Sequence, residues 1–278
     1  MPEWLHRTLA CAALLLGWAA TTASAQDRYP VTVESLKEGS THRVIARNGG
    51  RAPIQLTFSL ASSTNLRSSR AWPFVVVLHP GQTDEMVRVR PGDERQGYNF
   101  SYRYAVLLGD PQASPDPNAR YRIPFENGRS FRVSQAPGGP LITHNDAQTA
   151  NAIDVVMPEG TPIVAARAGF VIEIHEKSET RADLAGRGNF VRIFHADATW
   201  TDYAHLSRIA SDLLPNARID AGTLLGYSGN TGQSSGPHLH FHVQHNDRGT
   251  VRSIPVRFHT RTQGVVTPVY QGTLRADY

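Results

Sequence analysis

Short apolar runs recur along the chain, and clusters of Gly, Pro, Asn and Asp separate them. Runs rich in Val, Ile, Phe and Tyr that are bounded in this way are typical of β-strands. In the first half of the chain these runs are HRVIARN, APIQLTFSL, PFVVVLHP, EMVRVRP and YNFSYRYAVLLG. Their number and spacing predict a small antiparallel β-sandwich between about residues 28 and 130.

A second series of apolar runs follows in the other half of the chain. The runs are AIDVVM, PIVAARAGFVIEIHE, GNFVRIFHAD, TWTDYAHLS, GTLLGYSG and PHLHFHVQH, and only SRIASDLLPNA is predicted to form a short helix. Strands without intervening helices argue against a parallel α/β fold. The sequence therefore predicts an all-β protein in which a second antiparallel β domain follows the sandwich.

A polar, proline-rich stretch, DPQASPDPNARYRIPFENGRS, lies between the two series of strands. Such composition predicts surface loops, which we expect to close the first domain. We place the first domain at residues 26–133 and the second at 134–278.

The beginning of the chain has the features of a secretory signal. Arg7 precedes the apolar run Leu9–Ala20, and the small residues Ala23–Ala25 fit a signal-peptidase site. We predict that residues 1–25 are a cleaved signal peptide and that the protein is exported, to the periplasm or beyond the cell. The run is shorter than the roughly 20 apolar residues of a membrane span, so we expect no transmembrane segment in the mature chain.

The amino-acid composition limits the chemistry and the binding partners that the chain can have. Cys11 is the single cysteine and lies in the predicted signal, so the mature chain would have no disulfide and no thiolate ligand or nucleophile. The net charge of +4 suits an anionic partner such as the bacterial envelope, although an ordinary soluble surface explains it equally well. We expect no nucleic-acid partner and a monomer.

The segment GPHLHFHV has the sharpest chemical pattern. Alternate side chains of a strand share a face, so His238 and His240 project together while Leu239 and Phe241 face a core. Neutral imidazole is a good zinc ligand. His-x-His alone is nevertheless better explained as two surface histidines. His242 shares the same face, and we expect it to have a structural or rim role.

Two further segments carry polar residues in apolar surroundings. Asp154 lies within AIDVV, where a buried carboxylate is costly unless a metal, a turn or an arginine compensates it. His144 precedes it across a polar loop. In DYAHLS, the period of two predicts that Tyr203 and His205 share a strand face, and taken alone His205 is better explained as a core histidine.

The order of these elements is specific: His144 and Asp154, then GTPIVAA, then YAHL, then GNTGQSSGPHLHF. Over about residues 134 to 260 this arrangement closely resembles the lysostaphin and LytM-type zinc endopeptidases. The resemblance implies an antiparallel β fold with a narrow substrate groove. The family's usual first pair is His-x-x-x-Asp, whereas nine residues intervene here. The longer loop resembles a branch of the family with an N-terminal β domain.

The resemblance also implies a role for each residue of the motif. His144, Asp154 and His240 would hold Zn²⁺ and leave a fourth position open, as in catalytic zinc sites. His205 and His238 would act beside it in general base and electrophilic roles. Because the chain has no His-Glu-x-x-His motif, histidines must supply the base.

The sequence therefore predicts a zinc-dependent endopeptidase that hydrolyses peptide bonds in peptidoglycan stem peptides or cross-links. The alternative is a non-catalytic LytM-like module that binds the cell wall or activates another hydrolase. A metal-storage or copper-handling protein is disfavoured, because the chain has only three Met and the mature part would lack Cys. The sequence leaves open whether the first domain limits substrate access, binds the wall or supports the second domain.

Overall fold

The computed structural model describes residues 7–11, 29–140, 143–176 and 186–278. The chain divides into two compact units, Met1–Asp110 and Pro111–Tyr278. The described residues form no helix, and their strand ladders are all antiparallel, which confirms the all-β prediction. No helix in the described ranges is long and apolar enough to cross a membrane.

The described part of the first unit contains eight strands: β1 (Arg7–Cys11), β2 (Val31–Glu38), β3 (Thr41–Asn48), β4 (Ile54–Thr64), β5 (Leu66–Ser68), β6 (Phe74–Leu78), β7 (Thr83–Pro91) and β8 (Asn99–Leu108). They form two four-stranded sheets, in the orders β1-β8-β4-β6 and β2-β3-β7-β5. The rest of the predicted signal peptide, on either side of β1, lies outside the described residues.

One apolar core is shared by the two sheets of the first unit. Leu56 and Phe58 of β4 and Tyr102 of β8 meet Val44 of β3 and Val87 of β7 in a single buried cluster. Along much of β3, β4 and β7 the alternate residues are less buried, as expected when one face of a sheet packs on a core. This arrangement is the predicted β-sandwich.

The second unit is built around one large sheet. Its strands are β9 (Ser130–Gln135), β10 (Ile153–Val156), β11 (Pro162–Val164), β12 (Gly169–His175), β13 (Asn189–Phe194), β14 (Trp200–Ile209), β15 (Arg218–Ile219), β16 (Leu224–Ser228), β17 (His238–Asp247), β18 (Thr250–Ile254), β19 (Phe258–Thr260), β20 (Gly264–Val266) and β21 (Thr273–Arg275). The main order is β15-β12-β13-β14-β17-β10-β9-β21. β11, β16 and β18 pair beside this path, and β19 and β20 form a separate hairpin.

The proline-rich stretch does not close the first domain, so that prediction is wrong. Tyr121, Ile123 and Phe125 are buried in the core of the second unit, and Phe125 bridges Ile163 of β11. Their spacing of two places three large apolar side chains on one side of an extended segment, which packs them together. The structure consequently divides the chain at Asp110, earlier than the position taken from the sequence.

The short helix predicted for residues 207–217 is also wrong. β14 runs on to Ile209, and the backbone N–H of Ala210 donates to the carbonyl of Leu225. Turns follow, and Leu213 is buried in the core. Pairing with a neighbouring strand takes the backbone groups that a helix would use internally, and Pro215 has no N–H to give.

A candidate metal centre and its histidines

The centre is built on two adjacent strands of the large sheet. Asp154 of β10 is the direct partner of His240 of β17. The residues flanking Asp154, Ile153 and Val155, are fully buried on the core face, as is Leu239 beside His240. Strand alternation therefore turns Asp154 and His240 to the other face together, as the sequence predicted for the His-x-His pair.

Three side chains converge on this face with atoms suited to a metal. Nδ1 of His240 lies 2.9 Å from Oδ1 of Asp154, and Nε2 of His144 lies 3.4 Å from Oδ2. The three donor atoms all lie within 4.8 Å of one another. His144 belongs to the loop before β10, so a loop and two strands each supply one donor.

The donor set fits a divalent transition metal. Asp154 is 4% exposed, and each ion-pair partner found for its carboxylate among the described residues is a histidine. Its Oδ2 also accepts a hydrogen bond of 2.7 Å from Nε2 of Gln135. Two imidazoles and a buried carboxylate without a lysine or arginine match the ligand types that zinc prefers.

Electrostatics keep Asp154 ionised and His144 neutral. Burial raises the pKa of Asp154, but the hydrogen bond with His240 and the charges of the surrounding imidazoles outweigh it and lower the pKa to about 2. Burial lowers the pKa of His144, against the opposing charge of Asp154. Metal ligands must be deprotonated, so both shifts favour the ligating forms.

His205 reaches this face through an irregularity of β14. Tyr203 pairs with Phe241 on the core face, and Ala204 pairs with His240 on the metal face. Plain alternation would return His205 to the core. The register between β13 and β14 shifts at this point, and His205 has a φ of 62°.

This bulge turns the imidazole of His205 toward His238, with ring centroids 4.7 Å apart. The prediction that Tyr203 and His205 share a strand face is therefore wrong, although His205 does lie beside the candidate ligands. A non-glycine residue with positive φ carries a conformational cost, and such strain clusters at functional sites.

The backbone orients both of the additional histidines. Nδ1 of His205 lies 2.7 Å from the carbonyl oxygen of Thr231, and Nδ1 of His238 lies 2.8 Å from that of Gly236. Since a carbonyl only accepts, each Nδ1 carries the proton and donates it. Nε2 is then the nitrogen of each ring with a free lone pair. That of His238 faces Asp154 Oδ1 at 3.8 Å.

The environment of His205 also keeps it neutral. The side chain is buried, and this burial, followed by the charges of His240 and His238, lowers its pKa to about 3. In both rings the Nδ1–H bond to a backbone carbonyl fixes the orientation and leaves the lone pair of Nε2 available.

Sequence reasoning gave His242 only a structural or rim role, but the structure places it in direct contact with the candidate ligand set. Its Nδ1 lies 2.9 Å from Nε2 of His240. On its far side, Nε2 lies 3.3 Å from Oδ2 of Asp202, close enough for a charge interaction but without the alignment of a hydrogen bond. The sequence did show that residues 238, 240 and 242 share a strand face. It could not show that Asp202 lies near His242, because only the pairing of β17 with β14 brings the two together.

Comparison with known proteins agrees with this geometry. Residues 148–251 match the family model of Peptidase family M23. This part of the chain is an M23 peptidase domain. The match contains Asp154, His205, His238 and His240, and it begins just after His144.

Curated relatives match the M23 domain over a limited region. A DD-carboxypeptidase/endopeptidase, Mpg, from Neisseria meningitidis is 36% identical over 94 residues, which cover 34% of this chain and 20% of the relative. The peptidoglycan DD-endopeptidase ShyA from Vibrio cholerae is 34% identical over 93 residues, with the same shares of 34% and 20%. The chain thus spans about a fifth of the length of either relative.

Among solved structures, the chain matches the catalytic domain of the prophage-encoded M23 protein EnpA from Enterococcus faecalis, determined for a point mutant, with 27% identity. The alignment covers 54% of this chain and 97% of that domain, with a TM-score of 0.37.

Proposed function

We propose that this protein is a zinc-dependent endopeptidase that hydrolyses peptide bonds in peptidoglycan. The proposal is based mainly on one observation: candidate metal ligands and two further, oriented histidines meet on one face of the sheet. His144 and His240 join Asp154 in a metal-type cluster, and His205 and His238 lie beside it with their Nδ1–H groups fixed. The M23 match and the peptidoglycan endopeptidases among the relatives support the choice of substrate class.

In this proposal His144, Asp154 and His240 hold zinc. Bound there, zinc would lower the pKa of a coordinated water to about 7 and polarise the scissile carbonyl. The negative charge of Asp154 offsets part of the metal charge in a buried setting.

His205 and His238 handle the protons. One of them accepts the proton of the attacking water through Nε2. The other takes up a proton from solvent on Nε2 and donates a hydrogen bond to the carbonyl oxygen as that oxygen gains negative charge. Their Nδ1–H groups stay bound to the carbonyls of Thr231 and Gly236, so neither ring can turn away from the substrate. Such preorganisation lowers the cost of reaching the transition state.

The substrate would approach from the side of His144 and His238, whose side chains are 15% and 13% exposed. Val156 continues the same strand face after Asp154, is the direct partner of His238 and is 37% exposed. It offers an apolar contact beside the reacting bond.

The proposal is tested by digesting purified peptidoglycan with the zinc-loaded full-length protein and identifying released muropeptides by mass spectrometry. We expect release of peptide fragments, loss of release after chelation, and recovery when zinc is restored. Retention of the protein on peptidoglycan with no fragment released would contradict the enzyme and support the non-catalytic wall-binding module.

We also propose that residues 1–25 are a secretory signal, which would bring the enzyme to its substrate outside the cytoplasmic membrane. The charge of Arg7 ahead of the apolar run and the small residues before Gln26 support this. N-terminal sequencing of the protein produced in a bacterial host should give a chain that begins at Gln26. A mature chain that retains Met1 or Pro2 would contradict cleavage.

A further inference from the structure

A row of buried polar side chains leads away from the candidate metal centre into the protein. It begins at His240 and passes through His242 to Asp202. Beyond Asp202 it continues to Arg192 and Glu173. His242 and Asp202 are 3% and 0% exposed. Buried polar groups are retained at a cost unless each has a partner, so this row calls for a specific explanation.

The far end of the row is rigid. Nε of Arg192 donates to Oδ1 of Asp202 at 2.6 Å, and one terminal nitrogen donates to Oδ2 at 2.7 Å. The other terminal nitrogen donates to Oε2 of Glu173 at 2.9 Å. Burial raises the pKa of Asp202, but the charge and hydrogen bonds of Arg192 overcome it and hold the pKa well below its usual range. Asp202 is therefore a fixed carboxylate.

At the near end of the row, only one placement of the ring protons is compatible with metal binding by His240. Nδ1 is the nitrogen of His240 that faces Asp154, so Nδ1 must give its lone pair to the metal and Nε2 must carry the proton. Nε2–H can then donate to Nδ1 of His242. That makes Nδ1 of His242 an acceptor and leaves the proton of His242 on Nε2, which lies 3.3 Å from Oδ2 of Asp202.

We propose that His242 and Asp202 are positioning residues that fix the ring orientation and tautomer of His240 for metal binding. The proposal rests on the ligand assignment made above for the proposed function. His240 donates a hydrogen bond to His242, and the negative charge of Asp202 beside Nε2 of His242 favours the tautomer with the proton on that nitrogen. Partners of this kind raise the basicity of a ligating imidazole, and their loss typically weakens metal binding about 10- to 100-fold.

His242 cannot itself be a fourth ligand in this arrangement. It lies on the Nε2 side of His240, whereas the carboxylate of Asp154 lies on the Nδ1 side. Its contribution reaches the metal only through His240.

The test measures zinc affinity of the full-length protein by competition with a chromogenic chelator. His242→Phe keeps an aromatic ring but removes the acceptor, and we expect the zinc dissociation constant to rise about 10- to 100-fold. His242→Gln, which retains an acceptor and a donor, should restore most of that affinity. His195→Phe is the matched control, since His195 is also a buried, hydrogen-bonded histidine of this unit but bonds to Ala168 and Thr201; its zinc affinity should stay unchanged.

A second measurement needs no variant to fold. Long-range ¹H–¹⁵N spectra of the zinc-loaded wild-type protein should show His242 protonated on Nε2 and bare on Nδ1. The opposite tautomer, or a His242→Phe protein that folds and binds zinc as tightly as wild type, would overturn the inference. Both readouts are independent of peptidoglycan cleavage. Tight zinc binding with the expected tautomer but no cleavage would therefore refute the proposed function alone.

Discussion

Asp154 and His240 face each other across the β10–β17 pair, with Oδ1 of the carboxylate 2.9 Å from Nδ1 of the imidazole. The opposite face of the same strands carries Ile153, Val155 and Leu239, all fully buried. A slip of one residue in either strand would exchange the two faces. The hydrophobic core therefore fixes the register that brings these two polar side chains together.

The first prediction concerns the ligands. Asp154→Ala or His240→Ala should reduce the zinc bound per purified chain from about one to near zero, because two remaining donors hold zinc poorly. Elemental analysis after gel filtration measures this. His245→Ala is the control: His245 lies farther along the same strand, opposite Arg252, and its loss should leave the zinc content unchanged. Full zinc occupancy in the Asp154 variant would refute the ligand set.

The second prediction separates chemistry from metal binding. His205→Ala and His238→Ala should retain zinc, since neither side chain supplies a donor atom to the cluster. Each should lower peptidoglycan hydrolysis by at least about 100-fold, the usual effect of removing a general acid–base group. Release of muropeptides per hour and zinc content would be measured on the same preparations. Wild-type rates in both variants would exclude these histidines from the reaction.

The third prediction uses two glycines of one loop. A Cβ on Gly188 would clash with the backbone carbonyl group of Thr231, which holds His205. Gly188→Ala should displace that carbonyl and lower hydrolysis by up to about 100-fold, as small misplacements of catalytic groups do. The zinc content should stay unchanged, and both quantities would be measured on one preparation.

Gly186→Ala is the matched control for this loop. Gly186 also has positive φ, but its Cβ would meet only Gln233, at 3.8 Å. Both variants carry the backbone cost of roughly 1–2 kcal/mol for a left-handed residue. Equal activity losses in the two would show that backbone strain, and not the position of Thr231, is responsible.

The fourth prediction concerns the domain boundary. A protein beginning at Pro111 keeps Tyr121, Ile123 and Phe125, whereas one beginning at Ser134 loses all three from the core. Each such side chain contributes about 1.5–3 kcal/mol through burial. The shorter protein should therefore lose a large part of a typical stability of about 5–15 kcal/mol.

Thermal unfolding followed by near-ultraviolet circular dichroism distinguishes the two truncated proteins. We expect a cooperative transition for residues 111–278 and a lower or absent one for residues 134–278. Equal melting temperatures would place the boundary near residue 134, where the sequence suggested it.

Much of this protein follows from local sequence pattern. Apolar runs of strand length located many of the strands in both units, among them β4, β14 and β17, because a half-buried strand requires alternation whatever its partners are. The same period of two paired His238 with His240 and put Asp154 between core residues. The order of motifs, through the family resemblance, added His144 and His205 to the candidate site.

Other features of the site and the fold depend on contacts between distant parts of the chain. The face of His205 depends on a bulge against β13, which reverses the alternation read from its own strand. His242 gained its partner only when β14 placed Asp202 opposite it. Tyr121 belongs to the second unit because its core partners lie far along the chain. Local patterns encode which side of a strand is apolar, but bulges and partner choice arise from the register between strands, which only the assembled sheet defines.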